Sequence, residues 1–122
     1  MYTLTILPQR LAVAKLPANA PLPDWFAGEF FSITRTADEL SFVVEEARIP
    51  DGITAELGWR ALKVEGPLEL SLVGVLASLS GALAAAGVPL LALSTFDTDY
   101  LLVHEENLLV ATTALQAAGY TL

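Results

Sequence analysis

Apolar and polar positions along the chain fall into two similar blocks, sixty residues apart. Residues 30–46 read FFSITRTADELSFVVEE, and residues 90–106 read LLALSTFDTDYLLVHEE. Each block holds an apolar run, a polar turn with acids, a second apolar run and a Glu-Glu exit. Aligned at sixty, Val43 meets Val103, Glu45 meets Glu105 and Glu46 meets Glu106. A repeated unit governs how the rest of a chain is read. This one implies two related halves, with a seam between them where a small molecule could sit.

The alternating, β-prone stretch 2–7 predicts a strand, and 11–16 predicts a second one ended by Pro17. Pro17, Pro21 and Pro23 mark a loop; Pro23 to Phe26 suits one helical turn, stopped at Gly28. Strands 29–35 and 40–46, around a turn at Ala37, Asp38 and Glu39, make the first hairpin. Residues 47–58 read as a connector with a turn at Pro50-Asp51-Gly52. A strand over 59–65 opens the second half. Ser71 is placed as the N-cap of a helix over 72–86, whose stripe is Leu72, Val75, Leu76, Leu79 and Leu83. Gly74, Ser78, Gly81, Ala82 and Ala85 make the rest of that helix small enough for close packing. Gly87 and Pro89 stop it. The second hairpin spans 89–104, a last helix spans 106–118 and 120–122 form a short terminal strand. The second half therefore reads βαββαβ, an α+β arrangement with helices on one face of an antiparallel sheet. The first half keeps the strand order but shortens its first helix and replaces its second by the connector. The expected units are 1–58 and 59–122.

Composition narrows the function classes. Hydrophobic residues make up 54% of the 122 residues and charged residues 16%, which is ample for a core and argues against disorder. So few charges leave apolar surface for a partner chain, and a homodimer is compatible with that. A net charge of −8 disfavours nucleic acid and anionic membrane as partners, because both need a cationic footprint. The absence of cysteine removes disulfides, thiolate catalysis and thiolate metal sites. The N-terminus MYTLTILPQR lacks a secretory pattern, and the apolar stretch from Leu68 to Leu93 is broken by Glu69, Gly81, Gly87 and Pro89. A soluble cytoplasmic protein is the expectation.

Candidate chemistry gathers in two places. Ser71 to Gly74 open the predicted helix, whose N-terminal amides suit a carboxylate; the alternative is a capped, closely packed helix. Thr95 to Asp99 form the second turn, where Asp97 and Thr98 read as local turn formers and Asp99 as a partner for an ammonium group. Two aspartates are too few oxygens for a divalent metal, and neither metal nor cofactor is expected. His104, the single histidine, reads as a surface residue at a strand end rather than a base. Glu45, Glu46, Glu105 and Glu106 read as a solvated acidic rim. Trp25, Phe26, Phe30, Phe31 and Trp59 read as core and seam.

The segment SLVGVLASLSGALAAAGVP, followed by ALSTFDTDYLLV and HEEN, resembles an ACT domain. More narrowly, the chain is similar to bacterial tandem ACT-domain proteins that resemble the animal cytosolic arginine sensors. The likeness is strong over 59–120 and weak over 1–50. It implies ferredoxin-like βαββαβ units with sheets joined edge to edge, an amino acid bound at the seam, and regulation rather than catalysis. Carried onto this chain, the ligand positions are Leu70, Ser71, Leu72, Val73, Gly74, Ser94, Thr95, Phe96 and Asp99. Where the arginine sensors have an acid at the helix start, this chain has Leu72, so a neutral or apolar amino acid or another metabolite competes with arginine. The expected function is a non-catalytic sensor acting through an effector protein. The rival is an interaction or dimerisation module without a ligand. An enzyme is disfavoured by the lack of cysteine, of a well-placed histidine and of a phosphate-cradling glycine loop.

Overall fold

In the computed structural model, which describes residues 2–68 and 73–122, seven strands and two helices follow one another. They are β1 (Leu4–Ile6), β2 (Leu11–Leu16), β3 (Ser32–Arg35), β4 (Leu40–Glu45), β5 (Thr54–Val64), α1 (Val75–Ala85), β6 (Leu91–Ser94), β7 (Asp99–His104) and α2 (Leu108–Ala117). Single 3-10 turns at Glu46–Arg48 and Glu105–Asn107 follow β4 and β7. The chain divides into two compact units, residues 9–59 and the chain up to Pro8 together with Arg60–Leu122. This division departs from the expected 1–58 and 59–122. The physical reason is the pairing of β1, which runs antiparallel to the C-terminal end of β5 with Leu4 opposite Val64.

The unit completed by Arg60–Leu122 has the expected βαββαβ order: the end of β5, α1, β6, β7, α2 and the C-terminus. The terminal strand shrinks to a single bridge of Thr121 with Thr3, with Leu4 donating its amide to the Thr121 carbonyl at 2.7 Å. The core lies between the sheet and the two helices, where Leu62, Val64, Leu79, Leu83, Leu101, Val103, Ala111 and Leu115 are buried. Both helices stop in the same way. Val88 donates to the Leu83 carbonyl and Tyr120 to the Leu115 carbonyl, each at 3.0 Å, just past Gly87 and Gly119. These bonds satisfy carbonyls that a helix end would otherwise orphan.

Residues 9–59 build a sheet in the order β3, β4, β2 and the first half of β5. Its buried cluster is Ala14, Leu40, Phe42 and Val44, backed by Trp25, Phe26, Ile33 and Ile49. The Trp25 ring packs on Phe42 with centroids 4.8 Å apart. Pro23 to Phe26 form no helical turn; in chain order the 17–31 loop falls between β2 and β3 as α1 falls between β5 and β6. Arg35 fastens that loop by donating to the carbonyls of Ala18 and Ala20. The expected connector 47–58 is shorter than foreseen, because Thr54–Gly58 already belong to β5. Facing β2, that part of β5 slips register between Leu11 and Val13, and Gly58 sits there at a φ of +81°. A glycine in the left-handed region accommodates such a bulge without a Cβ clash.

Every element of the first hairpin recurs 59 residues later, not sixty: Ser32–Arg35 becomes Leu91–Ser94 and Leu40–Glu45 becomes Asp99–His104. The cross-strand pairs agree, Ile33 with Phe42 and Ala92 with Leu101. A slip of one residue turns every strand side chain to the opposite face. Thus Val44, fully buried, is the counterpart of buried Val103, whereas the identity at sixty falls on half-buried Val43. The glutamates at the hairpin exit are also more than a solvated rim. Glu45 accepts from the Glu29 amide at 2.8 Å; Glu46 accepts from the Gly58 amide at 2.9 Å and pairs with Arg10 at 3.2 Å. Glu105, the counterpart of Glu46, pairs with Arg60 at 3.4 Å.

Candidate functional site

Helix α1 begins later than its sequence suggests. Gly74 is the N-cap residue, at a φ of +83°, and its carbonyl accepts the first helical bond from Ser78 at 2.9 Å. A Cβ at Gly74 would meet nothing within 4 Å. Its role is therefore conformational, a left-handed entry into the helix, rather than the close packing expected of it. Among the described residues no side chain caps the helix and no acid occupies its first turn. First-turn amides and the positive end of a helix dipole suit an anion. The expected cap Ser71, with Leu70 and Leu72, lies outside the described residues.

Opposite this helix end stands the β6–β7 hairpin. Thr95 donates its amide to the Thr98 carbonyl at 2.9 Å, closing a tight turn over Phe96 and Asp97. Thr98 does more than shape the turn locally, as its sequence position suggests: it is buried, and its hydroxyl donates to the Val64 carbonyl on β5. The Asp97 carbonyl in turn accepts from the Leu68 amide at 2.6 Å. These two bonds fix the hairpin tip to the end of β5 and the chain that leaves it. A Cβ on Gly66 would lie 2.8 Å from the Leu68 nitrogen, so the chain there passes closer than a side chain allows. On the last rung of the hairpin Ser94 and Asp99 are paired, and the Ser94 hydroxyl donates to Asp99 Oδ1 at 2.6 Å.

Between the helix end and the hairpin lies a cavity of about 260 Å³. Of the positions expected to hold a ligand, Gly74, Ser94, Thr95, Phe96 and Asp99 all line it. Val73 does not; its side chain is 91% exposed. The remaining wall comes from Leu68, Val75, Leu76, Ala77, Asp97 and Thr98, which sequence reasoning did not assign to a ligand. Val75 and Leu76 were legible only as members of an apolar helical stripe, and Leu68 carried no signal. Every lining residue belongs to the unit that contains α1. The walls differ in electrostatic sign: the helix side offers amide hydrogens, and the hairpin side offers the carboxylates of Asp97 and Asp99. Phe96, 81% exposed, leaves an apolar ring at the rim. Among the described residues, no three His, Cys, Asp or Glu side chains are grouped to hold a metal ion. No helix among them is long and apolar enough to cross a membrane.

Comparison with known proteins agrees with this fold. An ACT domain family model matches residues 54–117, and a second model, of an N-terminal domain, matches residues 9–52. The crystal structure of protein Atu0741 from Agrobacterium tumefaciens superposes with a TM-score of 0.93 at 36% identity, over 98% of this chain and 90% of that one. Protein VC0802 from Vibrio cholerae superposes with a TM-score of 0.75 at 21% identity, over 97% and 88% of the two chains. The ligand-free regulatory subunit of aspartate kinase from Thermus thermophilus gives 0.68 at 12% identity, over 98% and 97%. The last two share the fold at identities too low to carry more. The match over 54–117, together with the βαββαβ order and the relative at 36% identity, places this chain in the ACT domain family.

Proposed function

We propose that this chain is a regulatory protein that reversibly binds an amino acid in the cavity between α1 and the β6–β7 hairpin. The observation that carries this reading is the opposed polarity of the walls, a helix N-terminus that no described side chain caps on one side and Asp99 and Asp97 on the other. A zwitterion matches it. Its carboxylate meets the first-turn amides of Val75 to Ala77, and its ammonium meets Asp99. Leu68, Leu76 and Phe96 suit an aliphatic or neutral side chain, which sets this chain apart from the arginine sensors it resembles. The regulatory role rests on the ACT family match and on the fold shared with a kinase regulatory subunit. In the same reading the chain is a tandem ACT protein, and ligand binding selects between two states through its different affinity for them. The output passes to an effector protein.

A second reading, an interaction module without a ligand, has one observation in its favour. Neither α1 nor α2 carries a charged residue, and Leu109 and Val110 on α2 are exposed. An uncharged helix layer on a chain of charge −8 is where two copies would meet with least repulsion.

Thermal unfolding of the purified chain against each common amino acid separates the two. A ligand at a hundredfold its Kd adds about 2.7 kcal/mol, which moves the midpoint by several degrees. A selective shift supports the sensor. A flat panel with a concentration-dependent midpoint supports the dimerising module.

A further inference from the structure

We propose that residues 9–59 carry a second small-molecule site, on the sheet face turned away from their core, for a ligand bearing one carboxylate and one ammonium group. Strand alternation defines that face. Ala14 and Ala55 belong to the cluster around Phe42, so Val13, Lys15, Thr54 and Glu56 point the other way. Lys15 on β2 is paired with Ser41 on β4 and with Thr54 on β5, a single rung with the ammonium between two hydroxyls. On the next rung Val13 lies between Val43 and Glu56. Directly opposed side chains on neighbouring strands have Cβ atoms about 5 Å apart, so one small ligand reaches both rungs. A cavity of about 360 Å³ lies over them, lined by Val13, Lys15, Glu39, Ser41, Thr54 and Glu56, with Ala14 and Ala55 of the same strands also contributing to its wall.

The charge arrangement says what fits there. The chain has fourteen carboxylates and six cationic side chains. Arg10, Arg48, Arg60 and Lys63 pair with glutamates, and Arg35 holds two carbonyls. Among the described residues the Lys15 ammonium makes no ion pair or hydrogen bond, although acids outnumber bases more than two to one. An ammonium flanked by two hydroxyl donors is a receptor for a carboxylate. Glu39, which also lines the cavity, attracts a positive group on the same ligand and repels a second negative charge. A dicarboxylate is thereby excluded, and a simple monocarboxylate lacks half of the complement. This site belongs to the unit without α1 and shares no residue with the cavity beside Asp99, so it stands or falls separately from the sensor reading.

The test is a titration of the ¹⁵N-labelled full chain with the common amino acids, 4-aminobutyrate, acetate and succinate, followed by amide chemical shifts into the millimolar range. At least one zwitterion is expected to shift the amides of Val13, Lys15, Ser41 and Thr54 saturably, more tightly than acetate, while succinate does not. Lys15→Gln, at an exposed position, is expected to weaken that response about tenfold or more and to leave shifts around Gly74 and Thr95 untouched. Asp99→Asn is expected to leave the Lys15 response intact. The proposal is overturned if no probe shifts those four amides saturably. It is equally overturned if Lys15→Gln binds as well as the parent, or if succinate outcompetes every zwitterion. A loss at Gly74 and Thr95 alone counts against the sensor reading and not against this one.

Discussion

The Ser94 hydroxyl donates a hydrogen bond to Asp99 Oδ1 at 2.6 Å across the last paired rung of β6 and β7. One carboxylate oxygen is thereby tied to the strand ladder, which leaves Oδ2 for a ligand. A hydrogen bond to an ionised acceptor is among the stronger kinds, and it sets the side chain before any ligand arrives. A binding group held by its own support loses little freedom on association. The hairpin tip is held in the same spirit, by Thr98 to the Val64 carbonyl and by the Leu68 amide to the Asp97 carbonyl.

If Asp99 receives the ammonium of an amino acid, its charge and its hydrogen bond to Ser94 are separable. Asp99→Asn keeps an acceptor for Ser94 and removes the charge. It is expected to lower affinity about tenfold or more, the scale of one charge-assisted bond. Ser94→Ala is expected to cost less, since the charge remains. Isothermal titration with the amino acid that gives the largest thermal shift measures both. Equal affinity of Asp99→Asn and the parent removes Asp99 from the site.

Thr98 is the buried polar side chain of the hairpin, and its hydroxyl serves the Val64 carbonyl. Thr98→Val keeps the shape and leaves that carbonyl without its partner. A cost of about 1–3 kcal/mol is expected, the usual penalty for an unsatisfied buried group. Urea unfolding reads it as a lower midpoint at unchanged slope. A stability within about 0.5 kcal/mol of the parent would mean that the hydroxyl is not needed there.

The hairpins, both helices and the βαββαβ order were legible because each rests on a strong pattern: burial at every second residue of LSFVVE, a continuous apolar run in DYLLVH, helical spacing through Leu79 and Leu83. What escaped lies where local chemistry imitates something else. Thr54–Gly58 alternates too weakly to read as strand, and only pairing with β2 makes it one. Ser71 is a good cap by type, yet the helix starts beyond Gly74, whose left-handed φ is invisible in a chain rich in small residues. Of the cavity wall, Ser94, Thr95 and Asp99 were found, Asp97 and Thr98 were read as turn formers only, and Leu68 and Ala77 were missed because an apolar residue facing a ligand looks like any core residue. Thr98 escaped because its partner is 34 residues away. Glu45 and Glu46 read as surface acids because their partners, backbone amides of Glu29 and Gly58, have no sequence signature.

Two glycines of the same helical segment make opposite predictions. Gly74 adopts a positive φ and Gly81 does not, and a Cβ on either would meet nothing within 4 Å. Gly74→Ala is expected to destabilise by about 1–2 kcal/mol through left-handed strain alone, and to weaken amino-acid binding by disturbing the helix entry. Gly81→Ala is expected to stabilise by about 0.5–1 kcal/mol through helix propensity and unfolded-state entropy. Thermal unfolding of both variants checks the pair. Stabilisation by Gly74→Ala would refute the left-handed entry.

The 59-residue spacing of the two hairpins is testable by substitution on adjacent positions. Val44 is fully buried and stands where Val103 stands in the second hairpin; Val43 is half-buried on the opposite face, paired with Val13. Truncating a buried valine removes about two methylene equivalents and leaves a small cavity, so Val44→Ala is expected to cost about 2 kcal/mol. Val103→Ala is expected to cost the same. Val43→Ala removes side chain that is already in partial contact with water and is expected to cost about half as much or less. Denaturant unfolding of the three variants decides the register. Were Val43 the sensitive position and Val44 the tolerant one, the strand would face its core one residue out of step, and the correspondence would be sixty.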